Sequence, residues 1–264
     1  MVKKKIKEID VNEDEFVEDT EETLKTARDK KVEDLTWTPK TELGKKVASG
    51  EVRDIYKILD QGNVIMEKEI VDVLLPDMES DLLQIGQAKG KFGGGKRRVF
   101  RQTQKKTREG NKPRFATLAV VGNKKGIIGL GYGKAKETVP AREKATRNAK
   151  FNVFKIRRGC GSWECGCGEA HSIPFTIQGK CGSAVLTLMP APKGTGLKVD
   201  VEVAKVLNLA GITDVWSKTT SQTGSKINLI RATEKALKSL TKTKLQEKHY
   251  QILSVVDGPG EGKV

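Results

Sequence analysis

The chain of 264 residues has a formal net charge of +15 and a pI near 9.6. Such a charge favours a polyanionic partner, either nucleic acid or an anionic membrane surface. No apolar run approaches the roughly 20 residues of a membrane-spanning helix, and the N-terminus lacks the apolar stretch of a secretory signal. We therefore expect a cytoplasmic protein with no membrane partner.

The charge is unevenly divided along the chain. Residues 1–81 carry 14 Lys and Arg against 22 Asp and Glu, whereas residues 82–264 carry 35 against 12. The body is therefore the polycation, and the acidic N-terminal third is a differently charged attachment. Its first 40 positions hold few large apolar residues, a composition that favours extension or folding on a partner.

Two helical patterns precede the basic body. Apolar residues recur at helical spacing in 47–59 and in 67–75, and the second pattern stops at Pro76. We expect both helices to pack against the body.

A glycine-rich basic arm follows at 86–98. Its segment GKFGGGK at 90–96 superficially fits a phosphate-binding loop, but Arg97 stands where a magnesium-binding Ser or Thr is required. We interpret the arm as a flexible contact for phosphates and not as a nucleotide site.

Strand and helix patterns then alternate with cationic turns. They predict a strand at 99–103, a cationic hairpin tip at 105–112 around Gly110–Asn111, strands at 115–121 and 127–130 with a basic turn at 122–126, and a helix at 137–156. The exit of the second strand carries Gly129, Gly131 and Gly133. These glycines permit a close backbone approach, either of an RNA phosphate or of the packed helix, and the sequence leaves both readings open.

A second unit follows a linker rich in glycine and cysteine. It is predicted to contain strands at 173–177, 184–189 and 215–219, helices at 201–209 and 227–240, and a Pro/Gly loop at 190–196. The residues after 241 end in GPGEGKV and are predicted to be a mobile tail.

The cysteines and one histidine form a compact pattern. Cys160, Cys165, Cys167 and His171 supply four ligands within 12 residues, and Cys181 lies ten positions further on as an alternative ligand. Zinc in structural sites takes four such ligands in a tetrahedron. The spacing is not the paired C-x2-C of zinc fingers, so reduced cysteines without a metal remain the alternative.

No catalytic constellation is visible in the basic body. The chain has two histidines and lacks the nucleophile-elbow, zinc-protease and paired-carboxylate patterns. We predict a protein that is not an enzyme and requires no cofactor for chemistry. One alternative is a zinc-dependent RNA-modifying protein, for which Glu164 and Glu169 are the only carboxylates near the cluster. Another is a free-standing double-stranded-RNA-binding module.

Clustered basic residues are the candidate RNA contacts. The strongest are Lys105, Lys106, Arg108, Lys112 and Arg114 of the hairpin loop. The others are Lys96, Arg97, Arg98, Lys124, Lys125, Lys134, Arg157 and Arg158. Such side chains hold RNA through its phosphates without reading sequence, and the low aromatic content of 5% argues against a stacking platform for single strands.

Several motifs together resemble the small-subunit ribosomal protein S five family, in its archaeal branch. They are FATLAVVGNKKGIIGLGYGKAKE, RRGCGSWECGCGEAHSIPF, GKCGSAVLTLMPAPKGTGL, AGITDVW and NLIRATEKAL, and the resemblance covers roughly residues 43–241. The long N-terminal extension and the cysteine-rich linker carry the likeness to the archaeal branch. The basic insertion at 86–98 departs from the bacterial pattern and leaves the path of that arm open.

The resemblance implies an α+β fold in five parts. A partly helical N-terminal extension covers 1–85. A double-stranded-RNA-binding-like domain, with a three-stranded antiparallel sheet and a helix, follows at 86–157, and a Cys/Gly-rich linker with a candidate zinc site occupies 158–172. A second α/β domain of order β-β-α-β-α covers 173–241, and a flexible tail covers 242–264.

The resemblance also implies a function. Members are structural constituents of the small ribosomal subunit that bind its rRNA, and their hairpin loop, here Lys105 to Arg114, approaches the helices of the decoding region. They lie beside the channel through which mRNA enters, next to ribosomal proteins S three and S four, and they influence translational accuracy.

Overall fold

A computed structural model describes residues 37–87 and 97–258, which divide between two compact units, 1–53 and 54–264. In the first unit, helix α1 (Glu42–Ala48) begins after Thr41, whose hydroxyl accepts a hydrogen bond of 3.0 Å from the Gly44 amide. Such a bond satisfies one of the free donors at a helix N-terminus. Among the described residues no helix is long and apolar enough to cross a bilayer.

The described part of the second unit combines six helices with eleven strands. The helices are α2 (Ile55–Asp60), α3 (Lys68–Leu74), α4 (Thr138–Phe151), α5 (Val201–Ala210), α6 (Lys226–Lys242) and α7 (Glu247–Ile252). The strands are β1 (Glu79–Leu83), β2 (Arg101–Thr107), β3 (Gly110–Gly122), β4 (Ile127–Ala135), β5 (Val153–Lys155), β6 (Arg157–Arg158), β7 (Ile177–Cys181), β8 (Ala184–Pro190), β9 (Leu197–Lys198), β10 (Val215–Thr220) and β11 (Val256–Asp257).

The first predicted helix is interrupted. A continuous helix over 47–59 is wrong, because α1 ends at Ala48 and α2 begins at Ile55. The Ser49–Gly50 pair explains the break, since glycine near a helix end adopts the left-handed conformation that stops it, and Gly50 has φ +78°. The prediction for 67–75 agrees with α3, whose Ile70 and Val71 are buried.

The first sheet is antiparallel and larger than predicted. Its strand order is β1-β3-β4-β5, with β2 paired to β3. The three predicted strands are present, but β1 comes from the predicted N-terminal extension and β5 from the predicted helix at 137–156, which ends at Phe151. Val153 and Phe154 favour extended backbone, so the chain returns to the sheet directly after α4 and pairs with β4.

Helix α4 packs on one face of this sheet through small residues. Ala141, Ala145 and Ala149 are fully buried at four-residue spacing. A Cβ added at Gly131 would lie 2.1 Å from the Ala149 amide nitrogen, and one at Gly133 would lie 2.2 Å from the Ala141 carbonyl oxygen. The glycines at the exit of β4 therefore serve helix packing and not the approach of an RNA phosphate.

The second sheet has the order β7-β8-β10-β9 and carries α6 on one face. The predicted strand at 173–177 is wrong, since β7 occupies Ile177–Cys181. Pro174 has no amide hydrogen for a ladder, and Ile173 is instead fully buried in the core. The predictions for β8, α5, β10 and α6 agree with the structure within a few residues.

The two sheets share one hydrophobic core. Leu118 and Val120 of β3 belong to the same cluster as Val206 and Leu207 of α5 and the buried side of α6. At Gly122 an added Cβ would lie 2.3 Å from the carbonyl oxygen of α5 residue Leu209. Helix α5 thus joins the sheets and fixes the position of the hairpin relative to the second sheet.

The described part of the segment after 242, residues 243–258, is docked on the body. It contains α7 and β11, and β11 pairs antiparallel with β6. The Arg157 guanidinium bonds the Asp257 carboxylate at 2.8 Å, and the Cys160 amide donates to the Leu253 carbonyl at 2.8 Å. These contacts explain why a predicted mobile tail is docked here; residues 259–264 lie outside the described residues.

Candidate nucleic-acid interface and metal centre

The β2–β3 hairpin projects beyond the rest of its sheet. Strand β4 ends at Ala135, opposite Phe115, whereas β2 and β3 remain paired up to Thr107 and Gly110. The five residues from Gly110 to Arg114 therefore pair with β2 alone, which corresponds to about 17 Å of free ribbon. The prediction that β2 covers 99–103 is too short, since the strand runs to Thr107.

One face of this ribbon is cationic. Direct partners in a ladder point to the same side of a sheet. The pairs Lys105↔Lys112, Thr103↔Arg114, Arg101↔Ala116 and Ala116↔Lys134 therefore place five cations on one side, away from α4. We call these the hairpin face: Arg101, Lys105, Lys112, Arg114 and Lys134, all exposed.

The hairpin tip differs from the prediction. The turn lies at Arg108–Glu109 and not at Gly110–Asn111, which begin β3. Glu109 bonds Lys112 at 3.1 Å, and this hydrogen bond lowers the pKa of the Glu109 carboxyl below its ordinary value. Both side chains are exposed, so the pair is weak and easily exchanged for a phosphate. Lys106 is exposed on the opposite side of the ribbon.

The basic turn at 122–126 is a junction between elements. The Lys124 amide donates to the Leu209 carbonyl at 3.0 Å, and its ammonium pairs with Glu79 at 2.5 Å. The backbone of Lys124 has φ +58°, a conformation unusual for a residue with a side chain. Lys125 is exposed, and the Tyr56 hydroxyl donates to its carbonyl at 3.3 Å.

The two arginines of β6 are turned toward the C-terminal segment. Arg157 bonds Asp257 and donates to the Thr243 carbonyl at 2.6 Å. Arg158 donates to the carbonyls of Lys124 at 3.5 Å and Gly258 at 3.3 Å. Burial lowers the pKa of the Arg158 guanidinium, whereas the Coulombic interaction with Tyr56 opposes this shift. We call Lys124, Arg157 and Arg158 the junction cations.

The remaining predicted RNA contacts are dispersed. Arg97 donates to the Gly224 carbonyl at 3.2 Å, near the start of α6, and Arg98 is exposed. Lys96 and the glycine-rich segment 90–95 lie outside the described residues. The structure therefore brings together the hairpin cations and Lys134, but not the whole predicted set.

The second candidate site lies in the loop between β6 and β7. Ligand atoms of Cys160, Cys165, Cys167 and His171 all lie within 4.8 Å of one another. The Cys160 and Cys167 sulfurs are 3.7 Å apart, as are the Cys165 sulfur and His171 Nε2. Cys181 lies in β7, partly buried against the hydrophobic core, and does not belong to this group.

The donor set fits tetrahedral zinc. Two Zn–S bonds of about 2.3 Å at the tetrahedral angle separate the sulfurs by about 3.8 Å, and one Zn–S with one Zn–N bond gives about 3.5 Å. Two of the six ligand separations, both 3.7 Å, agree with these values. The other four lie within 4.8 Å, so a bound ion would draw the widest pair closer by up to about 1 Å. If all four bound one ion, they would complete the coordination shell of a structural site and leave no position for a reacting water.

A buried carboxylate orients the histidine. His171 Nδ1 lies 2.9 Å from Asp214 Oδ2, and both side chains are buried. Asp214 also accepts hydrogen bonds from the Gly196 amide and the Thr213 hydroxyl, each at 2.8 Å. With the proton on Nδ1, the Nε2 lone pair points at the sulfurs, as in many zinc sites.

The pKa shifts in this group follow from crowding and burial. Burial, with hydrogen bonds to Cys165 and Cys167, raises the pKa of the Cys160 thiol to about 12. A backbone hydrogen bond from Lys193 and the bonds with Cys167 lower the pKa of Cys165 to about 6. Burial raises the pKa of Asp214, but the bonds from Gly196, Thr213 and His171 outweigh it and leave a net decrease.

Two important residues escaped the sequence analysis. Arg101 belongs to the hairpin face, and an alternation Arg101, Lys105 across an extended strand would have revealed it. Asp214 lies 43 positions beyond His171, and no local spacing signals that contact. The carboxylates considered for catalysis are peripheral: Glu164 is exposed, and Glu169 pairs with Lys193 at 2.6 Å.

Comparison with known proteins gives concordant matches. Family models match the N-terminal domain of ribosomal protein S5 at residues 86–157 and its C-terminal domain at residues 179–249. Proteins named small ribosomal subunit protein uS5 are 47% identical in Nanoarchaeum equitans (80% of this chain, 90% of the relative) and 47% in Methanocaldococcus jannaschii (84% and 95%). The relative from Methanosphaera stadtmanae is 45% identical, over 84% of this chain and 91% of its own length. The chain therefore belongs to the ribosomal protein S5 family, a family of structural and non-enzymatic proteins.

Proposed function

We propose that this chain is a structural constituent of the small ribosomal subunit that holds rRNA on its hairpin face. The observation that carries the proposal is the set of five exposed cations on one side of the first sheet, three of which (Lys105, Lys112 and Arg114) lie on the projecting ribbon. The only carboxylate in the free ribbon, Glu109, lies in the turn and is exposed. The ladder of β2 and β3 places these charges at regular spacing, which suits the regularly spaced phosphates of a nucleic acid.

The chemistry of the hairpin face suits double-stranded RNA. The major groove of an RNA helix is too narrow for side chains, so proteins hold such helices through phosphates and 2′-hydroxyls. Lys and Arg make these contacts and fix position without reading sequence. The sheet β2-β3-β4 with α4 on its other face supports a double-stranded-RNA-binding-like domain at 86–157, followed by a second domain at 173–241.

The finer assignments extend the same proposal. The hairpin approaches the decoding region, beside the channel through which mRNA enters, and the protein contributes there to translational accuracy. Ribosomal proteins S3 and S4 are its neighbours, and its location is the cytoplasm with the ribosome. Support comes from family membership and from the hairpin, whose free ribbon of about 17 Å gives it the reach of a long loop.

Charge reversal on the hairpin tests the proposal. The affinity for RNA falls as salt rises, and the steepness of that fall counts the phosphate contacts. We expect Lys105→Glu, Lys112→Glu and Arg114→Glu together to make the slope of log affinity against log salt less negative by about 2 to 3, because each lost contact removes about 0.7 to 0.9. The measurement is a salt titration of the full chain on small-subunit rRNA. A matched control reverses Arg231, Lys235 and Lys242, three exposed cations of α6; an equal loss in both variants would contradict the proposal.

A free-standing RNA-binding module remains the second candidate function, since the hairpin face alone suits any RNA helix. Sedimentation of cell extract separates the two. We expect nearly all of the protein to travel with small ribosomal subunits at moderate salt. A large unbound pool would favour the free-standing module.

We also propose that Cys160, Cys165, Cys167 and His171 hold a structural zinc ion. The 3.7 Å ligand spacings and the Asp214 contact support it. The bound ion would stabilise the thiolates and fasten the loop between β6 and β7. Elemental analysis of purified protein should give close to one equivalent of zinc, and less than a tenth of an equivalent would favour reduced cysteines without metal.

A further inference from the structure

The side of the second sheet that faces away from α6 is a surface of its own. Alternate residues of the strands β7, β8 and β10 are buried toward α6: Ile177, Gly179, Ala184, Leu186, Leu188 and Val215. Their neighbours in sequence therefore point to the opposite side. We call that opposite side the outer face.

The ladder register shows how the outer face is arranged. Trp216 stands between Met189 on β8 and Lys198 on β9. The next row runs through Lys218 to Thr187, and Lys180 follows opposite Val185. Three strand spacings of about 4.8 Å separate β9 from β7, so the outer face is about 14 Å wide.

The charge of the outer face has one sign. Lys180, Lys198 and Lys218 are exposed, and within residues 37–87 and 97–258 no carboxylate lies within 4.0 Å of any of their ammonium groups. Other lysines of the same domain are paired, such as Lys226 with Asp200 and Lys205 with Asp81. No acidic residue stands in the outer rows of the four strands.

An indole lies beside two of these three lysines: Lys198 is its partner on β9 and Lys218 follows it two positions along β10, whereas Lys180 lies two rows away, opposite Val185. Trp216 and Met189 are partly exposed and do not belong to the buried core. Four-stranded sheets that carry an aromatic ring among basic side chains stack unpaired bases on the ring while cations hold the phosphates. A protein partner would have to bring carboxylates to balance three lysines, whereas an RNA strand brings a negative charge with each nucleotide.

We propose that the outer face binds an unpaired stretch of rRNA, with one base stacked on Trp216 and phosphates held by Lys180, Lys198 and Lys218. The inference rests on the proposed function for the identity of the nucleic acid but uses a surface separate from the hairpin face. The low aromatic content argues against a platform of several rings, and the proposal departs from that expectation only at Trp216, because a single ring suffices for one stacked base.

Cross-linking in assembled subunits tests the location. Lys218→p-benzoylphenylalanine places a photoreactive group on the outer face, and the same substitution at Lys112 reports on the hairpin face separately. We expect irradiation to join position 218 to rRNA. Cross-links from position 218 only to protein, or none at all, would overturn the proposal whatever the result at position 112.

Binding of small-subunit rRNA by the full chain tests the chemistry. We expect Lys180→Glu, Lys198→Glu and Lys218→Glu together to lower the salt slope by about 2 to 3, while reversal of Arg231, Lys235 and Lys242 on α6 changes it by less than 1. Equal changes of the salt slope in the two triple variants would contradict specific RNA binding by the outer face.

The stacked ring is tested by two substitutions of one residue. Because stacking on an aromatic ring contributes about 1 to 3 kcal/mol per base, Trp216→Leu should weaken rRNA binding at least about fivefold, and Trp216→Phe should restore most of it. Thermal melting of both variants checks that each is folded. Equal binding by folded Leu and Phe variants would overturn the role of the ring.

Discussion

The hairpin face and the junction cations have similar compositions but different surroundings. On the hairpin, Lys105 and Arg114 project from a ribbon whose free end has Glu109 as its only acid. At the junction, Lys124 pairs with Glu79, Arg157 pairs with Asp257, and Arg158 bonds two carbonyls. Burial distinguishes the two groups: Arg157 and Arg158 are partly buried with their partners and stabilise the fold, whereas the exposed Lys112–Glu109 pair can be exchanged for a phosphate.

The acidic N-terminal third explains part of this difference. Asp60 of α2 pairs with Lys155, and Asp72 of α3 pairs with Lys150. Glu79 and Asp81 of β1 pair with Lys124 and Lys205. The segment from α2 to β1 thus neutralises one side of the basic body and leaves the projecting hairpin uncovered.

Substitution of Arg158 should distinguish the junction cations from the hairpin face most clearly. Arg158→Ala removes two hydrogen bonds from a charged, partly buried donor and should lower the free energy of unfolding by about 2 kcal/mol. Urea unfolding measures that loss. The salt slope of rRNA binding should change by less than 0.5, and a drop near 1 with unchanged stability would place Arg158 among the RNA contacts.

Removal of the proposed zinc should lower the local stability of the C-terminal segment around β11 and leave that of the hairpin unchanged. The Cys160 amide bonds the Leu253 carbonyl beside β11, so chelation of the proposed zinc should speed amide exchange in residues 250–258 by tenfold or more, about 1.4 kcal/mol of local stability. Hydrogen exchange with mass spectrometry measures this. Exchange at 110–114 should stay the same; equal acceleration in both segments would show that the metal supports the whole fold.

Arg101 sharpens the definition of the hairpin face. Arg101→Ala should lower the salt slope by about 0.7 to 0.9, the contribution of one phosphate contact, and should change the unfolding free energy by less than about 0.5 kcal/mol because the side chain is exposed. Arg231→Ala on α6 is the matched control. An unchanged slope for Arg101→Ala would remove this residue from the face.

The smallest effect is expected at Lys124. Lys124→Gly loses an exposed pair with Glu79, worth about 0.2 to 1 kcal/mol, but relieves a backbone at φ +58° that glycine adopts freely. The two terms oppose each other, so the unfolding free energy should change by less than about 0.5 kcal/mol. Chemical denaturation measures it, with Lys124→Ala as the comparison that loses the pair and keeps the strain.

The sequence predicts the strongly patterned elements well. The apolar runs 115–121 and 127–130 around a glycine-rich turn lie within β3 and β4. The helix predicted after them is α4, which packs on the sheet through its buried alanines. Strand β1 was missed because ESDLL is short and acidic, and its pairing with β3 spans about 40 residues. The strand predicted at 173–177 lies instead at Ile177–Cys181. The apolar residues at 173–177 suggest a strand, but Pro174 among them cannot donate a ladder hydrogen bond.

The candidate sites show the same limit. The four metal ligands lie within 12 residues, so their spacing alone suggests a cluster. Asp214 could not be found that way, because the contact depends on the loop folding against β10. For the cations, sequence shows where positive charge lies but not which charges the fold pairs, as Arg157 and Arg158 demonstrate.

A density map of the small ribosomal subunit that contains this chain tests the central claim most directly. The account predicts that Arg101, Lys105, Lys112 and Arg114 lie within about 4 Å of rRNA phosphate oxygens, while Arg157 and Arg158 keep their contacts with the C-terminal segment. A hairpin face that contacts only protein or solvent, with the junction cations on rRNA instead, would contradict it.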